Sequence, residues 1–400
     1  MTTAGVVVVG ASIAGMRTAE CLRQGGYAGS ITVLSAEDQL PYDRPPLTKQ
    51  LLAGEWGPEQ VRLPVSRRIA ELGLQLRYGR QAASLDVGAR LVELADGELV
   101  PYDQLVIATG AQPRTLPWAA GAAGMHVLRS LDDALALGAE LRDRPRVVVI
   151  GAGFIGAEVA SAARGYGCEV TVVEAADAPL QRALGREVGA AVGWLHGEHG
   201  ATLLTGTTVT GVRTHAGGRV AEVELSTGAA LPADVVVVGI GATPATGWLD
   251  GSGLTVGDGV ICDSQCQAAP AVFAAGDVAR WTHPVLGSVR LEHWTNAREQ
   301  AASVAATILE PGRPAPYAPI PYVWSDHYGH KLQVIGQPSD QAQVRLIEGE
   351  VGRPGFIAAY LQDGRAVGVV GLDAGPRLIR LRRLVAAQAP IGDLVSAAAG

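Results

Sequence analysis

A chain of 400 residues with 48% apolar and 18% charged side chains can bury more than one core, which sets it apart from disordered and fibrous proteins and points to two or three domains. Its net charge of −7 argues against a nucleic-acid partner. No apolar run reaches the roughly 18 residues of a membrane span, and the first strand begins too early to leave room for a signal peptide, so the expected location is the cytoplasm.

From the N-terminus, Val6-Val7-Val8-Val9 reads as a buried strand and Gly10-Ala11-Ser12-Ile13-Ala14-Gly15 as a glycine-rich turn. A helix with apolar Ile13, Met16, Ala19 and Leu22 follows, then a second strand over residues 30–34. Such a turn aims backbone N–H groups and the positive end of the helix dipole at a pyrophosphate, and the stretch reads as the cradle of a bound FAD. Gly10 permits the turn and Gly15 lets helix and strand pack closely, whereas Ser12 stands where the middle glycine is usual. Residues 50–100 read as a helix pair and then short strands, one of them at 90–94 before a turn at 95–98. The apolar strand up to Ala108-Thr109-Gly110 ends in small residues that let the backbone run close to a diphosphate.

Residues 145–174 repeat the opening with all three glycines, Gly151, Gly153 and Gly156, around Ala152, Phe154 and Ile155. Glu174 ends the second strand about 20 residues on, where a carboxylate accepts hydrogen bonds from ribose hydroxyls and repels a 2′-phosphate, pointing to NAD rather than NADP. Two such fingerprints in one chain imply that one nucleotide hands electrons to another. A helical stretch at 186–199 and strands up to Gly239-Ile240-Gly241 follow, and then Val272-Phe273-Ala274-Ala275 stops at Gly276-Asp277. Asp277 either caps a turn or holds the polyhydroxyl chain of a flavin. Residues 311–316, rich in proline, read as a linker into a third unit with Tyr322, Trp324 and Tyr328, strands at 355–361 and 366–371, and Arg377, Arg380, Arg382 and Arg383 near the end. On a helix Arg380 and Arg383 share a face, which is either solvated or a docking patch for an acidic protein. Cys21, Cys168, Cys262 and Cys266 form no Cys-x-x-Cys and read as inert thiols.

Five motifs carry a resemblance that covers essentially the whole chain. They are residues 40–49 (Leu-Pro-Tyr-Asp-Arg-Pro-Pro-Leu-Thr-Lys), Leu128-Arg129 with Asp132-Asp133-Ala134, Gly276-Asp277, Glu292-His293-Trp294-Thr295-Asn296-Ala297 and Trp324-Ser325-Asp326-His327-Tyr328-Gly329. On these the chain resembles the FAD-dependent NADH:ferredoxin reductases that feed cytochrome P450s and Rieske-type dioxygenases, relatives of rubredoxin reductases, monodehydroascorbate reductase and apoptosis-inducing factor.

The resemblance implies an α/β, glutathione-reductase-like architecture: two Rossmann-like dinucleotide-binding domains and a C-terminal α+β interface domain at 316–400. The FAD domain is discontinuous, 1–113 and 241–315, and the NAD domain, 114–240, is inserted in it. It assigns to FAD residues Gly10, Ser12, Ile13, Ala14, Gly15, Ala36, Glu37, Arg44, Lys49, Ala82, Ala108, Thr109, Gly110, Arg129, Gly276, Asp277, His293, Trp294 and Ala297. To NAD it assigns Gly151, Gly153, Phe154, Ile155, Gly156, Glu158, Glu174, Arg182, Gly239, Ile240 and Gly241. Lys49, Glu158 and Trp294 are the expected catalytic residues, and no metal site is expected. Two departures stand out: Ala36 occupies the position of an acid that holds the FAD ribose in several relatives, so neighbouring Glu37 is expected to help, and His327 replaces a common glutamine.

The implied reaction takes hydride from NADH onto FAD, with Lys49 supplying positive charge near the reduced flavin, and releases single electrons to an acidic [2Fe-2S] ferredoxin docked near Arg377, Arg380, Arg382 and Arg383. Disulfide reductases of this fold carry a cysteine pair in the segment equivalent to residues 45–49; its absence here excludes a dithiol relay. A monomer or weak homodimer is expected. The alternatives are an NADH reductase of a small acceptor such as oxygen, a quinone or an ascorbate radical, and a redox-sensing protein that binds both nucleotides.

Overall fold

The computed structural model describes residues 5–119, 121–312 and 315–399. Within them the chain divides into two units, one of residues 1–43, 61–112 and 242–319, the other of residues 44–60, 113–241 and 320–400. Arg313 and Pro314 of the expected linker lie outside the described residues.

In the first unit, Val6–Val9 is a central strand flanked in parallel by Ile31–Leu34 and Gln104–Ile107. Leu74–Arg77 and Val272–Ala274 extend the parallel sheet on either side, and Gln267–Ala269 closes one edge antiparallel. A strand covered on both faces needs an apolar side chain at every position, and Val6 to Val9 are all buried. Helices Ile13–Gln24 and Trp294–Leu309 pack against one another, and Met16, Ala19, Leu22, Ala297, Val304 and Ala305 join the sheet's core. The antiparallel excursion Ala82–Asp86, Leu91–Leu94 and Leu99–Pro101 hangs from this sheet's connection. The helix pair expected after residue 50 is absent: residues 50–73 form turns and one 3₁₀ helix, Pro64–Arg68. Gly54, Gly57, Pro58 and Pro64 break the stretch into runs too short to hold a helix on propensity alone.

The second unit repeats the plan. Arg146–Ile150 lies between Glu169–Val173 and Val235–Val238, with Thr202–Leu204 and Met125–His126 at the edges, all parallel. Its antiparallel excursion is Val209–Thr214, Val220–Leu225 and Ala230–Pro232. The single helical stretch expected at 186–199 is two helices, Gln181–Val192 and Trp194–Glu198, the first kinked at Gly185, whose φ is +74°. Asp340 Oδ1 accepts the Arg186 N–H freed by that kink, at 2.5 Å. Residues 322–372 form a five-stranded antiparallel sheet ordered Tyr322–His327, His330–Gly336, Arg365–Leu372, Ile357–Gln362 and Gln343–Glu348. Leu184, Val188 and Val192 cover one face of it, against Leu332, Val334, Phe356 and Tyr360. Leu378, Leu381, Val385 and Leu394 of the terminal segments cover the other. Among the described residues no helix is long and apolar enough to cross a membrane.

Candidate active site

The first glycine-rich turn leaves the carboxyl end of Val6–Val9, where a positive φ of +115° makes Gly10 obligatory. A Cβ on Gly10 would lie 2.2 Å from the Ala108 carbonyl oxygen, and one on Gly15 would lie 1.9 Å from that of Gly10. These contacts bring Ala108, Thr109 and Gly110 beside the turn, with Thr109 Oγ1 donating to the Ala245 carbonyl at 2.9 Å. Gly276, with φ +81°, closes the group: its Cβ position is 3.0 Å from Ala14 and 3.7 Å from Ala297. Eight of the expected FAD residues thus meet at the carboxyl ends of three adjacent parallel strands, where open α/β sheets bind nucleotides. Gln300 holds Gly276 there by accepting its N–H at 2.8 Å.

His293 caps the helix Trp294–Leu309, yet its Nδ1 is buried with no partner among the described residues. Burial pushes this imidazole down to about 4, partly opposed by Asp277. A buried ring nitrogen without a partner beside this cradle is what a bound nucleotide cofactor would complete, so the residues present fit FAD. Trp294 Nε1 donates to Asp43 at 2.7 Å, and the Arg298 guanidinium lies 4.8 Å from the indole centroid. Glu37 accepts a 2.5 Å bond from the Tyr42 phenol, Ala36 is exposed, and Ala82 is buried at the head of its strand.

The second turn has the same construction. Gly151 has φ +98° and packs on the Gly239 carbonyl, and a Cβ on Gly156 would lie 2.0 Å from the Gly151 oxygen. At Gly153 there is nothing within 4 Å, the open space that a phosphate needs; Ser12 holds this position in the first copy. Ile155 is exposed beside it. Glu174 reaches back into the turn, where its two oxygens accept the Ala152 N–H at 2.6 Å and the Ala176 N–H at 2.8 Å. A carboxylate has about four lone-pair sites, so two remain for ribose hydroxyls. Arg182 stands 3.7 Å from the Cβ position of Gly241, which closes the group with Ile240 and Phe154.

Residues 44–60 belong to this second unit because the 3₁₀ turn Pro45–Thr48 packs on helices Leu131–Leu141 and Phe154–Gly165. That packing buries an ion pair: Lys49 Nζ lies 2.6 Å from Glu158 Oε1, with the side chains 12% and 5% exposed. Thr48 Oγ1 donates to Glu158 Oε2, and Ser325 Oγ donates to Oε1 at 2.5 Å. Arg129 precedes a capping box, its N–H donated to Asp133 at 3.0 Å, and Arg44 caps the 3₁₀ turn.

The terminal arginines do not share one helix. The chain breaks at Leu381 into Gly375–Arg380 and Arg382–Ala386. Arg377 is paired with Glu348 and Arg382 reaches the Ile320 carbonyl, whereas Arg380 and Arg383 are exposed. All four cysteines are free thiols; burial raises Cys262 and brings Cys266 up to about 12, so both are protonated and inert at neutral pH.

Sequence reasoning missed Asp43, Gln300 and the Thr48–Glu158–Ser325 contact. Asn296 and Gln300, polar residues four apart beside apolar Ala297, Ala301 and Val304, were the available signal for one of them.

The family model described as pyridine nucleotide-disulphide oxidoreductase matches residues 4–301. The chain belongs to this family. A second model, the reductase C-terminal domain, matches residues 322–398. The chain is 40% identical over 388 residues to the anthranilate 1,2-dioxygenase system ferredoxin–NAD(+) reductase component of Burkholderia cepacia, covering 96% of this chain and 94% of that one. It is 33% identical to putidaredoxin reductase of Pseudomonas putida, covering 96% and 92%. Among solved structures, the covalent putidaredoxin reductase–putidaredoxin complex superimposes with a TM-score of 0.93 at 31% identity over all of both chains. The resemblance read from the motifs therefore holds for the family and its α/β fold.

Proposed function

We propose that this chain is an FAD enzyme that oxidises NADH and passes the electrons one at a time to a [2Fe-2S] ferredoxin serving a cytochrome P450 or Rieske-type oxygenase. The observation that carries the reading is the duplicated turn, each copy at the carboxyl ends of a parallel sheet, in a chain whose cysteines offer no dithiol relay. Relatives named as a ferredoxin–NAD(+) reductase component of a dioxygenase system and as a putidaredoxin reductase support it.

Bound FAD supplies the conversion of a hydride into single electrons. The chain supplies binding and orientation. Gly10 to Gly15, Ala108 to Gly110, Gly276 and Ala297 would cradle the FAD diphosphate, Asp277 would take the ribityl hydroxyls, and His293 Nδ1 would gain its missing partner. Gly151 to Gly156 and Gly239 to Gly241 take the NADH diphosphate, Glu174 its ribose, and Arg182 stands beside them. Lys49 presents a positive charge anchored by Glu158. Residues 1–113 with 241–315, 114–240 and 316–400 are assigned as FAD, NAD and interface domains. Of the terminal arginines, Arg380 and Arg383 are the pair left exposed to meet an acidic ferredoxin, and the enzyme works in the cytoplasm.

The test is NADH oxidation by the purified protein in air, with and without a [2Fe-2S] ferredoxin and with cytochrome c as final acceptor. A slow rate that rises steeply and saturably with ferredoxin is expected. Equal rates without it would assign the flavin to a small-molecule acceptor.

A further inference from the structure

Glu158 Oε1 is crowded by donors: Lys49 Nζ at 2.6 Å, Ser325 Oγ at 2.5 Å and the Asp326 N–H at 3.4 Å. Lys49 and the amide can only donate, so the carboxylate accepts on this side and the Ser325 hydroxyl spends its single proton there. The Ser325 oxygen then faces His327 Nε2, 2.9 Å away, as an acceptor, and Nε2 must carry the ring proton. His327 is 3% exposed. The charged and titratable groups around it are Lys49 from the 45–49 turn, Asp326 on its own strand and paired with Lys331, Glu158 beyond Ser325, and His196 from the short helix Trp194–Glu198.

We infer that His327 is a positioning residue: as the neutral Nε2–H tautomer it fixes Ser325 as a donor to Glu158, and so holds the Glu158–Lys49 pair without placing a second positive charge beside Lys49. A lysine or arginine at 327 would add that charge. Leucine would free Ser325 to turn its proton away, and glutamine can donate the same bond through its amide. The catalytic consequence rests on the reading of Lys49 and Glu158 as the pair that serves hydride transfer; the geometry does not.

The experiment therefore has two arms on the full-length protein. In the first, nitrogen NMR of histidine-labelled protein at neutral pH assigns the His327 tautomer. A protonated Nε2 with a bare Nδ1, lost in Ser325→Ala, is expected; a bare Nε2 overturns the inference, because Ser325 would then donate to the ring instead of to Glu158. In the second, His327→Leu lowers kcat for NADH oxidation about tenfold with KM for NADH within about twofold, the loss of one hydrogen bond toward a charged group, and His327→Gln recovers it. Failure of glutamine to recover kcat also overturns it. Ser325→Ala, which changes little volume, carries the same kinetic comparison if the leucine variant does not fold. The expected tautomer with kcat unchanged in His327→Leu and Ser325→Ala alike would refute the catalytic reading of the pair while leaving the hold of His327 on Ser325 in place.

Discussion

Acidification should weaken the second unit through two imidazoles, and one substitution separates their shares. Burial lowers His327 and His196 to about 4; Lys49 adds to the effect on His327, as do His327 and His199 on His196. With unfolded values near 6.5, the unfolded chain takes up these protons first, so their contribution is complete above about pH 6.5 and is lost as pH falls toward 4. The slope approaches about 1.4 kcal/mol per pH unit per imidazole, which integrates to about 2 kcal/mol each, about 4 together, between pH ~7.5 and ~5. His327→Gln cannot titrate and should lose about 2 kcal/mol over the same interval. Asp234, held down at about 2 by its hydrogen bonds to Arg146, stays ionised throughout and adds nothing. Hydrogen exchange of amides in Tyr322–His327 and Trp194–Glu198, followed against urea at the two pH values, confines the readout to this unit. Equal losses in the wild type and His327→Gln would refute the argument.

Glu174→Arg should lower kcat/KM for NADH by about tenfold or more and raise it for NADPH, since it removes a charged acceptor of ribose hydroxyls and supplies a partner for a 2′-phosphate; an unchanged ratio in parallel assays counts against the assignment. Gly15→Ala and Gly156→Ala drive a methyl into a carbonyl oxygen 1.9 and 2.0 Å away, and each should cost about 3 kcal/mol or more in denaturant melts. Gly153→Ala meets nothing within 4 Å and should keep stability to within about 0.5 kcal/mol, so any loss of NADH binding reports the space the nucleotide occupies. Reversing Arg380 and Arg383 to Glu should lower the ferredoxin-dependent rate and flatten its salt dependence, whereas Arg377→Glu, which faces Glu348, should show mainly as lost stability.

Both nucleotide turns were legible because the backbone itself demands their residues: a turn at φ near +100° and a carbonyl about 2 Å from a missing Cβ admit little but glycine, wherever the rest of the chain goes. The apolar strands were legible for a similar local reason, every position of Val6–Val9 and Val235–Val238 being buried. Residues 50–73 misled because their apolar positions suit either helix or packed turn, and only the spacing of Gly54, Gly57, Pro58 and Pro64 decides. The buried cluster was half legible. Lys49 and Glu158 came from family motifs, but what saturates Glu158 arrives from Thr48 and from Ser325, and no local pattern announces a contact across that distance in sequence. Likewise the break at Leu381 follows no glycine or proline; the tertiary fit of Leu378, Leu381 and Val385 to the sheet overrides helix continuity.

The place of Val272–Ala274, paired in parallel with Gln104–Ile107, also dictates an order of events during synthesis. The ribosome must make all five strands of the second unit's parallel sheet, Met125–His126 to Val235–Val238, before the strand Val272–Ala274 that the first unit's sheet still needs. Once residues 1–240 have emerged, the second unit's sheet has all its strands while the flank of Gln104–Ile107 in the first unit still lacks its partner, and that row of unpaired N–H and C=O groups is the natural point for a chaperone to grip.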